Sequence, residues 1–286
     1  MENLSDLRVI HSILERHGFR FSKALGQNFL VDATVCPRMA ELCGADGNTC
    51  VLEIGPGIGV LTSELAQRAK KVVAVELDRR LLPVLNETLA DFGNVKIVHG
   101  DVLELDLAAL LRAEFGGDPV VVCANLPYYI TTPILMRLLE SGLPFEAITV
   151  MVQKEVADRL TARPGGKNAG AITVTVDYYA KAQKLFGVSK GAFTPSPKVD
   201  SAVIRLTRRA APPVEVNDPQ AFFRLVKAAF AQRRKTAVNS VSATLGIPKP
   251  VVADALVACG LDVNVRAEAL STEALAALYR ALGGAV

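Results

Sequence analysis

Short apolar runs alternate along this chain with stretches in which apolar residues recur every three or four positions. The runs Val51-Leu52-Glu53-Ile54, Val72-Val73-Ala74-Val75, Val95-Lys96-Ile97-Val98 and Val120-Val121-Val122-Cys123-Ala124 have the length and β-branched content of buried strands. Between the first two, residues 60–67 read as a helix with Leu61 and Leu65 on one face. Strand, turn, helix and strand in that order predict βαβ units and a parallel sheet covered by helices. An amphipathic helix carrying Leu7, Ile10, Ile13 and Leu14 precedes them. Gly165-Gly166 marks a loop between Leu160 and an apolar run from Ala171, and two final strands are expected at 184–188 and 202–206. Ala211-Pro212-Pro213 then breaks the chain. Beyond the break, Asp218 and Pro219 open a helix whose apolar face holds Phe222, Leu225, Val226 and Phe230. Helical patterns follow at 251–256 and, after a Ser271 cap, at 275–282. The pattern predicts an α/β domain over 1–210 and a small all-α domain over 211–286.

Half of the 286 residues are hydrophobic, enough for a sizeable core. The opening Met1-Glu2-Asn3 shows no signal peptide, and no apolar run reaches the length of a membrane span. The five cysteines (Cys36, Cys43, Cys50, Cys123, Cys259) form no Cys-x-x-Cys pair, and His11, His17 and His99 are scattered. Buried thiols and no metal site are expected, in a soluble, reduced, cytoplasmic protein. A net charge of +3 identifies no partner. Its distribution is more informative: between Arg205 and Lys235 stand eight Lys or Arg against Glu215 and Asp218. Such a cluster is either a solvated basic face or a grip on nucleic-acid phosphates.

The turn after the first strand is Gly55-Pro56-Gly57-Ile58-Gly59. A dinucleotide fingerprint wants glycine at its first, third and sixth positions, and here the sixth is Val60. A pyrophosphate cradle is disfavoured, and the shorter glycine turn after an acidic residue suits S-adenosylmethionine. The second strand ends at Glu76, spaced to accept from a ribose diol, and the third runs into Gly100-Asp101, whose carboxylate can accept from an adenine amine. Asn125-Leu126-Pro127-Tyr128 closes the fourth strand. The Asn125 side chain and the Pro127 carbonyl can accept both N–H groups of an exocyclic amine, and Tyr128 offers a flat face to its heterocycle.

With these residues the chain resembles the KsgA-type small-subunit ribosomal RNA adenine dimethyltransferases. Further matches are Leu25-Gly26-Gln27-Asn28-Phe29-Leu30, the segment Val152 to Leu160, the loop from Phe193 to Val203, and Gln232-Arg233-Arg234-Lys235-Thr236. The resemblance implies a Rossmann-like class I S-adenosylmethionine-dependent methyltransferase domain with a helical RNA-binding domain, and two antiparallel final strands. It places cofactor contacts on Asn28, Leu30, Gly55, Gly57, Glu76, Asp101 and Asn125, and base handling on Asn125, Leu126, Pro127, Tyr128 and Phe193. RNA phosphates would meet Arg233, Arg234 and Lys235. Tyr129 and Ala171 depart from the family pattern, where Asn and Arg are common. The implied reaction is N6,N6-dimethylation of two adjacent adenosines in the 3′-terminal hairpin of 16S rRNA, within an immature small ribosomal subunit, by a monomer. Alternatives are a macrolide-resistance-type enzyme acting on large-subunit RNA, and an assembly factor for which methylation is secondary. DNA adenine and protein-glutamine methyltransferases usually carry a second proline where this chain has Leu126.

Overall fold

A computed structural model describes residues 4–19 and 28–283. The chain divides into two compact units: residues 1–157 with 183–208, and residues 158–182 with 209–286. The sequence pattern placed one boundary after residue 210. The second unit instead begins at Arg209 and also takes 158–182.

In the first unit, helix α1 (Leu7–Arg16) buries Ile10, Ile13 and Leu14, as its spacing predicts, while Leu7 stays exposed. Strand β1 (Phe29–Leu30) and helix α2 (Val35–Leu42) lead into the alternating core. That core runs β2 (Cys50–Ile54), α3 (Val60–Ala66), β3 (Lys71–Glu76), α4 (Leu82–Thr88), β4 (Val95–His99), α5 (Leu107–Phe115), β5 (Val120–Asn125), α6 (Thr131–Glu140) and β6 (Phe145–Gln153). Every residue of β2 is buried, as are the first five of β5, because helices cover both faces of a parallel sheet. Helix α7 (Lys154–Leu160) and helix α8 (Ala171–Tyr179) precede β7 (Ala180–Val188), the short β8 (Phe193–Thr194) and β9 (Ser201–Arg208).

The seven-stranded sheet has the order β4-β3-β2-β5-β6-β9-β7. β2 pairs in parallel with β3 on one side and β5 on the other. Chain order therefore reverses between β2 and β5, and in open α/β sheets ligands settle at the carboxyl ends beside such a switch. The glycine turn after β2 and the tetrapeptide after β5 occupy those two ends. β9 runs antiparallel to β6, from Ala147↔Thr207 to Gln153↔Ser201. Apart from this sheet, β1 and β8 form an antiparallel pair, Phe29↔Thr194 and Leu30↔Phe193.

The second unit is helical: α8, α9 (Pro219–Phe230), α10 (Ala237–Leu245), α11 (Lys249–Ala258) and α12 (Thr272–Leu282). Asp218 caps α9 by accepting from Gln220 N and Ala221 N, and Ser271 caps α12, both as the sequence predicts. Phe222, Leu225 and Val226 are fully buried. Tyr178 meets the Phe223 ring edge-on at 5.2 Å, while Tyr179 stacks on it at 5.5 Å. Asp177 accepts from Arg209 at 2.7 Å and from Thr272 at 2.6 Å, tying α8 to α12 and to the start of this unit's second segment.

All five cysteines are free thiols, four of them buried. Among the described residues no helix is long and apolar enough to cross a membrane, and no group of His, Cys, Asp and Glu is placed to hold a metal ion.

Candidate active site

The carboxyl ends of β2, β3, β4 and β5 open onto a cavity of about 1100 Å³, part of it open to solvent. Its walls include Asn28, Leu30, Gly55, Gly57, Glu76 and Asp101, together with Asn125, Leu126, Pro127, Tyr128 and Phe193. Residues separated by up to 165 positions in the sequence thus meet at one cleft. Leu25, Gly26 and Gln27 lie outside the described residues.

One wall is acidic and deep. Gly55, Gly57 and Gly59 take φ of +69°, +63° and +92°, the left-handed region that glycine enters without strain. A Cβ at Gly57 would stand 3.3 Å from the Phe29 ring, so the turn is also closed by packing. Glu76 is buried, and burial pushes its carboxyl up to about 7 despite backbone N–H groups that favour the charged form. One of these is Asp78 N, which donates to Glu76 Oε1 at 2.7 Å. Asp101 accepts from Leu103 N at 2.8 Å, so its carboxylate also caps the local turn.

Glu53 was given no role by the sequence beyond being the acid before the glycine turn. It lines the cavity, is 1% exposed, and burial together with the charge of Glu76 pushes it up to about 8. Its Oε2 has no partner in good hydrogen-bond geometry among the described residues, although the buried Thr62 hydroxyl lies near enough to favour the charged form. A carboxyl left unsatisfied in a buried wall is costly unless a ligand brings it a donor. The signal was present in the sequence, as the one acid inside an otherwise apolar strand.

The other wall is half-open. Asn125 is partly exposed, and no described residue hydrogen-bonds its side chain. Leu126 is buried at 1% exposure. The Pro127 carbonyl accepts from Thr131 Oγ1 at 3.0 Å and Ile130 N at 3.3 Å, which occupies both of its lone pairs. The expectation that this oxygen receives a substrate N–H is therefore corrected. The described residues donate no hydrogen bond to the neighbouring Leu126 carbonyl. Tyr128 is half-buried, with its hydroxyl 2.5 Å from Ser201 Oγ. Tyr129, 51% exposed, also lines the cavity, and burial with the charges of Asp101 and Glu76 raises its hydroxyl.

Phe193 touches the cavity while being 4% exposed, packed in a core with Leu30, Cys36 and Val203. Its backbone pairs with Leu30, joining β8 to β1, sequence-distant segments that both line the cavity. In the second unit, Arg233, Arg234 and Lys235 are exposed in the turn between α9 and α10. Two members of the predicted basic cluster are committed elsewhere: Arg205 donates to the Leu42 carbonyl at 3.0 Å, and Arg209 is paired with Asp177.

Comparison with known proteins places this geometry among its relatives. Residues 18–281 match the family model described as ribosomal RNA adenine dimethylase. A protein of Geobacillus thermodenitrificans named ribosomal RNA small subunit methyltransferase A is 50% identical over 275 residues, covering 94% of each chain. The protein of that name from Bacillus cereus is 47% identical over 286 residues, covering 99% of this chain and 98% of its own. Among solved structures, the 23S rRNA methyltransferase ErmE superposes with a TM-score of 0.67 at 30% identity, over 89% of this chain and 99% of its own. A dimethyladenosine transferase from Plasmodium falciparum shares the fold, with a TM-score of 0.73 at 24% identity, over 87% of this chain and 95% of its own.

Proposed function

The chain belongs to the ribosomal RNA adenine dimethylase family, and from that premise we propose that it transfers methyl groups from S-adenosylmethionine to the N6 amines of two adjacent adenosines in the 3′-terminal hairpin of 16S rRNA, during assembly of the small subunit. One observation carries the reading: a buried acidic wall and an open amide-and-aromatic wall share a single cavity. The relatives named for small-subunit methylation match at 47–50% identity, against 30% for the 23S enzyme, which supports the choice of RNA.

The residues present fit the methyl donor. Glu76 would accept from its ribose hydroxyls and Asp101 from its adenine amine, while the turn at Gly55 and Gly57 admits close approach of backbone to ligand. Asn28 and Leu30 would line the entrance side. The Glu53 oxygen without a well-placed donor suits its ammonium group. When bound, S-adenosylmethionine supplies an electrophilic sulfonium methyl.

The chain's own work lies with the acceptor. Adenine's exocyclic nitrogen is a poor nucleophile because its lone pair is delocalised into the ring. The Asn125 side-chain oxygen and the Leu126 carbonyl accept its two N–H groups, drawing the nitrogen toward tetrahedral geometry and holding its lone pair toward the donor. Thr131 and Ile130 keep the Pro127 carbonyl out of this role. Tyr128 stacks on the base, an interaction worth about 1–3 kcal/mol, and Phe193 supports the site from the core. Arg233, Arg234 and Lys235 engage phosphates without reading bases. No strong general base is required, because the nitrogen becomes acidic once methylated.

The test is incubation with radiolabelled S-adenosylmethionine and unmethylated small ribosomal subunits, followed by mass spectrometry of RNA nucleosides. Dimethyladenosine in 16S rRNA is expected. Label in large-subunit RNA would select the resistance-type activity instead, and tight binding without label would leave an assembly factor.

A further inference from the structure

An aromatic side chain used as a stacking platform has two soft torsions, and fixing them in advance removes an entropic cost from base binding. Tyr128 is held at both ends. At its near end, the Pro127 carbonyl is bound by Thr131 Oγ1, itself 2% exposed. At its far end, the phenolic hydroxyl meets Ser201 Oγ at 2.5 Å.

Ser201 is an unusual anchor. It is 1% exposed and opens β9, registered to Gln153 of β6. The residue before it is fixed as well: Asp200 Oδ1 accepts from Lys190 N at 3.0 Å, and its carbonyl accepts from Lys154 N at 3.0 Å. The Ser201 hydroxyl is thus a rigid point delivered by the sheet, 73 residues away from the ring it meets.

We propose that Ser201 is a positioning residue for methyl transfer: its hydroxyl fixes the plane of the Tyr128 ring, so that an adenine stacked there presents its amine to Asn125. The inference rests on the reading above that Tyr128 stacks on the target base, and adds a residue to which that reading gave no role. A merely structural serine would stabilise the start of β9 and leave catalysis alone. A positioning serine acts on turnover, because the base still stacks but in a broader range of orientations.

The experiment compares Ser201→Ala, Tyr128→Phe, their combination and Ser201→Thr, using S-adenosylmethionine and unmethylated small subunits. Ser201→Ala and Tyr128→Phe should each lower kcat about three- to tenfold, the worth of one hydrogen bond. KM for the subunits should change little, since a stacking ring remains, and calorimetric affinity for S-adenosylmethionine should be unchanged. The double variant should match either single one, because both remove the same bond. Ser201→Thr, which keeps the hydroxyl, should recover most of the loss. Unchanged kcat in Ser201→Ala, or losses that multiply in the double variant, would overturn the proposal. Should Ser201→Ala melt early, Tyr128→Phe, altered at the half-buried end, decides alone. If the wild-type protein transfers no methyl to small-subunit RNA, the functional reading falls and this inference with it. An active wild type with an indistinguishable Ser201→Ala overturns the positioning role only.

Discussion

The two walls of the cavity are built on opposite principles. The wall at the ends of β2 and β3 buries two carboxyls, Glu53 at 1% and Glu76 at 6% exposure, in a frame of backbone and apolar side chains. The wall after β5 leaves Asn125, Pro127 and Tyr128 partly open to solvent and Tyr129 half-exposed. A small ligand that can be enclosed entirely justifies buried charge, because its own donors restore what water supplied. In the proposed reading the base belongs to a ribosomal particle and must enter from outside, which an open wall with a stacking ring and a few acceptors would suit. Under the proposed function each wall serves its own substrate, and a prediction below that alters one wall spares the other.

The largest effect is expected from Asn125→Ala. Removing a positioned acceptor from a reacting group should lower the transfer rate on the order of 100- to 1,000-fold, while filter binding of small subunits stays near wild type. Loss of subunit binding in proportion would remove Asn125 from its role.

A smaller effect, confined to the acidic wall, follows from proton linkage. Glu76 and Glu53 are raised to about 7 and about 8 in the fold, against 4.5 when unperturbed. A ligand whose hydroxyl and ammonium groups donate to these carboxyls binds their ionised forms. Affinity for S-adenosylmethionine should therefore fall about tenfold per pH unit below 7 for each proton that must leave, and level off above 8. Stability of the unliganded protein runs the other way. Between pH 4.5 and 8 the fold holds protons that the unfolded chain has lost, so the melting temperature should drop as pH rises across that window. Glu53→Gln should flatten that drop in a thermal scan.

Smallest is the effect of reversing charge at Arg233 and Arg234, which face solvent away from any buried pair. Affinity for subunits should weaken several-fold at low salt, and the slope of log affinity against log salt should shrink by about one for each phosphate that is no longer neutralised. An unchanged slope would return the basic turn to the status of a solvated surface.

The acidic wall was the more legible of the two in the sequence. Glu76 and Asp101 each close an apolar run, and a residue at a strand end can be placed from periodicity alone. The acceptor wall was legible in its residues but not in its bonds. That Ser201 meets Tyr128 depends on which strand lies beside β6, and no local pattern states it. Phe193 shows the same limit, since its place at the cavity and its burial in the core arise from pairing with Leu30. Helix α8 shows another. Its Ile172-Thr173-Val174-Thr175-Val176 segment is β-branched throughout, yet it is helical. Thr175 donates to the Ala171 carbonyl at 3.1 Å and Thr173 to the Arg159 carbonyl at 2.8 Å, while Tyr178 packs on Phe222 and Phe223. Tertiary packing overrides propensity there, and it moves residues 158–182 into the helical unit.

The most direct test of the division between walls is a crossed kinetic comparison of Glu76→Gln and Tyr128→Leu, varying S-adenosylmethionine and small subunits independently. Glu76→Gln should raise KM for S-adenosylmethionine about 10- to 100-fold, the worth of charge-assisted hydrogen bonds, and leave KM for the subunits alone. Tyr128→Leu should do the reverse, raising KM for the subunits about 5- to 100-fold as stacking is removed. Two variants that each disturb both constants to the same degree would contradict the account.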